Sequence, residues 1–285
     1  MSTVAMQYAQ LGCCLLTLTV NGFVLLQNSM RKLDVTQHLC MVLLKVKLES
    51  IYAIANALYV FSILMNSKDN ASKDEFVFYS GNFVYSFQIV LAVLYLFVAI
   101  DRHIAMKKPI KYSQTWFGYI QKAFFVSGAI VFALSFFLYA TVDRPSLLMI
   151  EVVTFTTLAN SNVVIFFQTF KLLVCIGSLV IVLSCLLRFK RFLNKKRAKF
   201  MGSFVDNVRA AIKVVWIITV FMVLFVVAPS AAQLMTQFFK LDFSNPVVDF
   251  ANLAFLLFSV LSSMVFYQAT RTTCSVSISL SGSYI

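Results

Sequence analysis

The feature that most constrains the fold is a run of 25 residues without a charge, from Phe76 to Ile100. At about 1.5 Å of rise per residue, an α-helix of this length crosses the roughly 30 Å hydrocarbon core of a bilayer. The whole chain is 60% hydrophobic and 12% charged, with a mean hydropathy of +0.86. Soluble domains contain about 25% charged residues. The sequence therefore predicts an all-α membrane protein with several spans.

The apolar runs predict a single domain over residues 1–285, built as a bundle of seven transmembrane helices. The helices are expected at about residues 6–30, 35–65, 76–104, 119–142, 163–187, 208–239 and 247–267. Residues 268–285 are expected to form a short cytoplasmic tail. No internal repeat is visible in the sequence, which argues against a solenoid.

The distribution of basic residues predicts the orientation of the bundle. The segments on one side of a seven-helix arrangement carry 17 Lys and Arg residues, and those on the other side carry four. Because the basic excess faces the cytoplasm, we expect the N-terminus outside and the C-terminus inside. The net charge of +13 then reflects topology and contact with an anionic lipid bilayer, and no nucleic-acid binding is expected. The sequon Asn70-Ala71-Ser72 falls on the outer side, so Asn70 is a predicted glycosylation site.

The sequence offers little for catalysis or metal binding. None of the six cysteines has metal-ligand spacing, and the two histidines, His38 and His103, lie at predicted helix ends. We expect free thiols packed as small apolar groups, with no metal and no cofactor. Glu49 and Lys171 do not make an acid–base constellation, so we expect no enzyme activity.

Three polar residues interrupt the first two predicted helices. Asn21 lies in helix 1, where a lone Asn usually bonds a neighbouring helix. Lys45 and Glu49 lie four residues apart in helix 2, on one face, where they can form a self-contained pair.

The end of the long apolar run carries a recognisable pattern. Asp101 and Arg102 are followed by His103, and a Pro-Ile-Lys-Tyr sequence begins at Pro109, seven residues after the Arg. This resembles the end of the third helix and the second inner loop of rhodopsin-like G-protein-coupled receptors, with His103 in place of a Tyr. An acid–arginine pair at the mouth of a membrane helix is itself a candidate functional site.

Further along the chain, Pro229 precedes Tyr267 by 38 residues, which is similar to the family spacing between the helix 6 proline and the helix 7 tyrosine. Pro229 removes a backbone hydrogen bond and should kink helix 6. The resemblance implies an activation switch and G-protein coupling site made of Asp101, Arg102, Pro229 and Tyr267. It also implies that Asn21 and Glu49 share a buried polar network, with Glu49 replacing the family Asp.

Several family residues are missing. Val227 stands where the helix 6 Trp is expected, Ser263 begins a helix 7 motif that keeps only its Tyr, and Val77 replaces the helix 3 Cys, so the family disulfide cannot form. Such a short chain with 30 Phe residues resembles the nematode serpentine chemoreceptors, with class BC as the best match.

The resemblance implies a chemosensory receptor in the plasma membrane, with a sensory cilium as a candidate location. A small molecule would bind from outside, and the basic loop from Arg188 to Lys213 would meet a heterotrimeric G protein. The alternative is a multi-pass transporter or channel. Such proteins often show paired repeats and helices broken by Gly or Pro, whereas this chain has eight Gly residues and no repeat.

Candidate ligand-binding residues are Asn82 and Tyr85 in the outer half of helix 3, and Lys171 in helix 5. Lys171 lies about eight residues into its helix, roughly 12 Å deep at 1.5 Å per residue. Its side chain either snorkels to the interface or points inward, where an acidic or carbonyl-bearing ligand would complete it. Asp249 is the closest acid, at a higher level of helix 7.

Overall fold

The computed structural model describes residues 3–30, 40–65, 71–107, 116–142, 154–196, 214–239 and 244–281, and all regular structure in these ranges is helical. The long helices are α1 (Thr3–Ser29), α2 (Cys40–Leu64), α3 (Ala71–Lys107), α4 (Phe117–Thr141), α5 (Ser161–Lys196), α6 (Val214–Phe238) and α7 (Ser244–Ser281). A short helix, Phe155–Leu158, precedes α5. The predicted all-α class is confirmed.

Six of these helices, all except α2, are long and apolar enough to cross a membrane. Their outer faces expose large apolar side chains, such as Leu15 on α1 and Phe137 on α4. An apolar face that is costly in water is suited to lipid, because acyl chains are as apolar as the side chains. The chain is therefore a multi-pass membrane protein.

Helix α3 occupies the centre of the bundle, since 67% of an 18-residue apolar segment of this helix is buried, against 22% of the corresponding segment of α4. It packs against α2, α4 and α5. Further contacts run from α5 to α6, α6 to α7, α7 to α1 and α1 to α2, which closes a ring with α3. Helix α2 also contacts α7, and α4 packs outside this ring against α3 and α5. Any residue on the inner face of α3 can therefore reach several other helices.

The helices extend beyond the predicted spans. Helix α3 begins at Ala71 rather than 76, α5 continues to Lys196 rather than 187, and α7 continues to Ser281 rather than 267. Apolar composition marks the membrane-crossing part, but backbone hydrogen bonding continues into the polar flanks. Much of the expected tail thus continues α7. Residues 35–39 and 208–213, predicted as helical, lie outside the described residues.

Helix α6 accommodates Pro229 through a local change in its backbone hydrogen bonding. The five residues before Ala228, Val223–Val227, form a π-helical turn, and the Ala228 N–H donates to the carbonyl of Val223, five residues back. A proline ring would clash with the carbonyl four residues before it. The wider π turn relieves this clash and leaves a discontinuity in the backbone ladder, of the kind often found at functional sites.

One end of the bundle is closed by the short helix Phe155–Leu158. Phe155 is fully buried, its N–H donates to the Tyr59 hydroxyl at 2.9 Å, and its ring packs 4.7 Å from the ring of Tyr85. Gly81 on α3 makes room for this side chain, because a Cβ at that position would lie 2.8 Å from Phe155 Cγ. We call this the plug end, and the opposite end, where α3 carries its arginine, the Arg102 end.

Candidate ligand site and coupling residues

A cluster of buried polar side chains, here called the Gln88 cluster, lies between the helices toward the plug end. Gln88 Nε2 donates to the Tyr52 hydroxyl at 2.6 Å and to Asn252 Oδ1 at 2.8 Å, and its Oε1 accepts from Lys171 Nζ at 3.3 Å. Asn252 Nδ2 donates to the Tyr85 hydroxyl at 3.4 Å. All five side chains are buried. The cluster therefore connects α2, α3, α5 and α7 through directional bonds.

Lys171 points into the bundle and only 3% of it is exposed. This burial excludes the snorkelling alternative. Among the residues that the structure describes, its hydrogen-bond partner is the carbonyl oxygen of Gln88, and it forms no ion pair. A buried ammonium with one neutral acceptor has unused donor capacity, since the group carries three N–H bonds. The site can therefore accept an additional acceptor, above all an anionic one.

The three predicted ligand-binding residues do not all lie in the Gln88 cluster. Tyr85 and Lys171 belong to it, whereas Asn82 Nδ2 donates to the backbone carbonyl of Phe136 on α4 at 3.0 Å. Asn82 Oδ1 in turn accepts from Ser86 at 3.2 Å. Asn82 therefore joins α3 to α4. A role for any of the three in binding a ligand stays a prediction.

Three buried polar atoms without partners lie toward the plug end. Asp249 Oδ2, Gln168 Oε1 and Gln233 Nε2 are buried and have no hydrogen-bond partner within the described ranges. Gln10 on α1 donates to the backbone carbonyl of Asp249 at 2.8 Å, which fixes the start of α7 against α1. Buried polar groups are normally satisfied, so each of these atoms needs an explanation.

A second cluster, here called the Glu49 cluster, lies further toward the Arg102 end. Lys45 Nζ is 3.2 Å from Glu49 Oε1, which also accepts from the Tyr95 hydroxyl at 2.9 Å. The same ammonium donates to Ser262 Oγ at 2.6 Å and lies 5.1 Å from the ring centre of Phe258. The predicted Lys45–Glu49 pair is present, but it is not self-contained, because it ties α2 to α3 and α7.

Asn21 bonds a neighbouring helix, as the interpretation from residue type alone predicts. Its Nδ2 donates to the backbone carbonyl of Val46 on α2 at 3.4 Å. No direct hydrogen bond joins Asn21 to Glu49 among the described contacts, although Val46 is only three residues before Glu49. A shared Asn21–Glu49 network stays a prediction of the family resemblance.

At the Arg102 end, Arg102 Nε lies 3.7 Å from Asp101 Oδ2. The Asp101 side chain is fully buried, whereas 32% of the Arg102 side chain is exposed. His103 follows, and its Nδ1 lies 3.1 Å from Cys185 Sγ on α5. The end of α3 thus combines a buried carboxylate, a partly exposed guanidinium and a polar link to α5.

The other two proposed switch residues lie on α6 and α7. Pro229 is buried beside the π turn. Tyr267 packs edge-on against Phe23 of α1, with ring centres 5.2 Å apart. In this conformation the tyrosine therefore contacts α1. A role for either residue in activation stays a prediction.

Five of the six cysteines are free thiols in the structure: Cys13, Cys14, Cys40, Cys175 and Cys185. The expectation of free thiols is confirmed for these five. No group of three or more His, Cys, Asp or Glu side chains that could hold a metal occurs in the ranges given above. Asn70, the predicted glycosylation site, lies outside the described residues.

Sequence reasoning missed the residues that hold the two clusters together, chiefly Gln88, Tyr52, Asn252, Tyr95 and Ser262. A signal was available for Gln88, because an amide in the middle of the longest apolar run is costly unless it is hydrogen-bonded. Tyr52, Tyr95 and Ser262 carried no such signal in the sequence, since tyrosine and serine are common in membrane helices and only the packing shows which ones face inward.

No protein-family model and no curated protein matches the chain. The function is therefore argued from the two buried clusters and from the charged pair at the Arg102 end. All three lie on or against α3.

Proposed function

We propose that the chain is a chemosensory receptor that binds a small ligand from outside the cell and signals to a heterotrimeric G protein. The observation that carries the proposal is the position of three polar sites along one central helix. Gln88, Tyr95 and Arg102 of α3 each bond or pair within a different site. From Gln88 to Arg102 the helix rises about 21 Å, at 1.5 Å per residue. A rigid helix of this kind can couple a ligand site to a cytoplasmic site.

The proposal includes α2 as a seventh membrane span. Its charges do not exclude this, since Lys45 and Glu49 pair in the interior, and an internal partner lowers the cost of a charge at membrane depth. Lys47 is exposed near the start of α2, where its long side chain can reach the interface. With seven spans, the excess of basic residues supports an orientation with the plug end outside and the Arg102 end in the cytoplasm.

The resemblance of the Asp101-Arg102 and Pro229–Tyr267 spacings supports membership of the nematode serpentine chemoreceptors, with class BC as the proposed subclass. Such a receptor would act in the plasma membrane, in a sensory cilium or elsewhere on the cell.

The proposed mechanism is a shift between two packings of the bundle. A ligand that bonds Lys171 and Gln88 competes with the bonds that tie α5 and α7 to α3. It shifts the population only by its difference in affinity for the two packings. The π turn before Pro229 supplies a place where α6 can bend. Release of Arg102 from Asp101 would then present the guanidinium to the G protein, which the basic segment 188–213 would also meet.

The test uses the full chain in lipid nanodiscs with purified heterotrimeric G proteins, and measures guanine-nucleotide exchange. We expect the chain to accelerate exchange on at least one G-protein class, and Arg102→Ala to abolish this activity. Lys122→Ala is the control, because Lys122 is an exposed basic residue on α4 at the same end of the bundle and lies outside the segment 188–213. If no G protein responds, or if both substitutions reduce exchange equally, the receptor mechanism is wrong.

One observation also fits the alternative of a transporter. Ionisable residues buried at membrane depth, such as Lys45, Glu49 and Lys171, are typical of substrate pathways as well. Uptake of labelled organic anions and amino acids into proteoliposomes separates the two functions. A transporter accumulates or exchanges its substrate without any G protein, whereas a receptor does not.

A further inference from the structure

The plug end contains two buried side chains of opposite charge that are not paired with each other. Lys171 lies on α5 and Asp249 on α7, with 3% and 8% of each residue exposed. The ion pairs in the described ranges are Lys45–Glu49 and Asp101–Arg102, so neither of these two charges is neutralised by a described residue. Leaving both charges buried is unfavourable unless a third partner joins them.

The contacts of the Gln88 cluster relate the positions of these charges. Lys171 Nζ donates to Gln88 Oε1 at 3.3 Å, and Gln88 Nε2 donates to Asn252 Oδ1 at 2.8 Å. Asp249 precedes Asn252 by about one helical turn toward the plug end, or about 5 Å along the axis. The ammonium is therefore linked to α7 one turn from Asp249, and it forms no ion pair with the Asp249 carboxylate.

Neutral groups with unused hydrogen-bonding capacity flank the same region. Gln168 is one turn before Lys171 on α5, and Gln233 is one turn after Pro229 on α6, and each has a buried amide atom without a described partner. Burying a polar atom costs free energy when the hydrogen bond that it makes to water in the unfolded chain is not replaced. A polar occupant would recover part of this cost, whereas an apolar one would not.

We propose that the ligand of this site is a small zwitterion of the amino-acid class, whose carboxylate binds Lys171 and whose ammonium binds Asp249. A zwitterion carries both charges in one molecule, and each can form a charged hydrogen bond of about 2.8 Å. A purely anionic ligand would face the Asp249 carboxylate, and a purely cationic one would face the Lys171 ammonium. The inference rests on the ligand site of the proposed receptor.

The test measures thermal stabilisation of the purified full chain in nanodiscs by each of the common amino acids and by γ-aminobutyrate. Every compound is compared with its N-acetyl and methyl-ester derivatives, which remove one charge each. We expect at least one zwitterion to stabilise the protein, because a ligand that binds only the folded state raises its stability. Both of its derivatives should bind about tenfold or more weakly.

Two substitutions then assign the charges. Lys171→Met should weaken zwitterion binding about thirtyfold or more but should not weaken binding of the methyl ester, which has lost the group that Lys171 binds and is repelled by the ammonium. Asp249→Asn should weaken zwitterion binding similarly but should not weaken binding of the N-acetyl derivative, which is repelled by the Asp249 carboxylate. Lys122→Met and Glu75→Gln are the controls, because both residues are exposed, and neither should change binding.

The inference is overturned if no zwitterion stabilises the protein, if singly charged derivatives bind as well as their parents, or if the two substitutions leave binding unchanged. The readout requires no G protein. Zwitterion binding without nucleotide exchange would therefore leave the ligand class standing and refute the receptor. Exchange activity driven only by a singly charged compound would support the receptor and refute the zwitterion as its ligand class.

Discussion

Gly81 provides the sharpest test of how the short helix Phe155–Leu158 packs on α3, because a methyl group added at this position would clash with neighbouring side chains. In Gly81→Ala the new Cβ would lie 2.8 Å from Phe155 Cγ and 2.8 Å from Tyr59 Cε2, and closer still to Phe155 Cβ. Ordinary carbon contacts are about 3.5–4.0 Å. The short helix Phe155–Leu158 must therefore move away from α3 by about 1 Å, which also disturbs the hydrogen bond from the Phe155 N–H to the Tyr59 hydroxyl.

The expected magnitude combines two opposing effects. Overpacking of this kind costs about 1–3 kcal/mol, whereas Gly to Ala within a helix gains about 0.5–1 kcal/mol from backbone entropy. We expect Gly81→Ala to lower the free energy of unfolding by about 1–2 kcal/mol. Gly12 on α1 has no atom within 4 Å of an added Cβ. Gly12→Ala should therefore raise the free energy of unfolding through the gain in backbone entropy alone, whereas Gly81→Ala should lower it.

The assay is thermal unfolding of both variants and the parent protein in one detergent, at equal protein concentration. A destabilisation of about 1–2 kcal/mol corresponds to a drop in Tm of roughly 2–8 °C for a chain of this size. Gly128→Ala is an intermediate control, because its added Cβ would meet Val90 at an ordinary 3.5 Å. If Gly81→Ala is as stable as Gly12→Ala, Phe155 does not pack against α3 in the way described.

Three further predictions concern the Glu49 cluster, the predicted glycosylation site Asn70 and the cysteine thiols. Glu49→Gln should lower the free energy of unfolding by about 3 kcal/mol, since it leaves Lys45 buried without an anion, and adding Lys45→Met should recover most of this loss in a double-mutant cycle. Asn70→Gln should increase gel mobility to that of the glycosidase-treated parent, whereas unchanged mobility would place the loop inside the cell or out of reach of glycosylation. Mild reductant should leave surface expression unchanged, because no outer cysteine pair is available for the family disulfide; a large drop would reveal a bridge.

The sequence by itself determined the class of protein, because the free energy of apolar side chains in a bilayer depends on composition and length. A run such as Phe76 to Ile100 must be helical in lipid, where every backbone polar group has to be bonded internally. The Lys45–Glu49 pair was also readable, since residues four apart on a helix lie on one face. Helix ends were less readable, as α7 shows by continuing to Ser281.

Only the tertiary structure decided which polar residues meet. Gln88 is 83 residues from Lys171 and 164 residues from Asn252 along the chain, yet it forms hydrogen bonds to both side chains. Such contacts depend on the rotation of each helix about its axis, and packing against neighbouring helices sets that rotation rather than local sequence. The same rotation turns Asn82 toward α4 and Lys171 toward the interior. The charge of Lys171 was visible in the sequence, but its neutral partner became visible only once α3 and α5 were packed together.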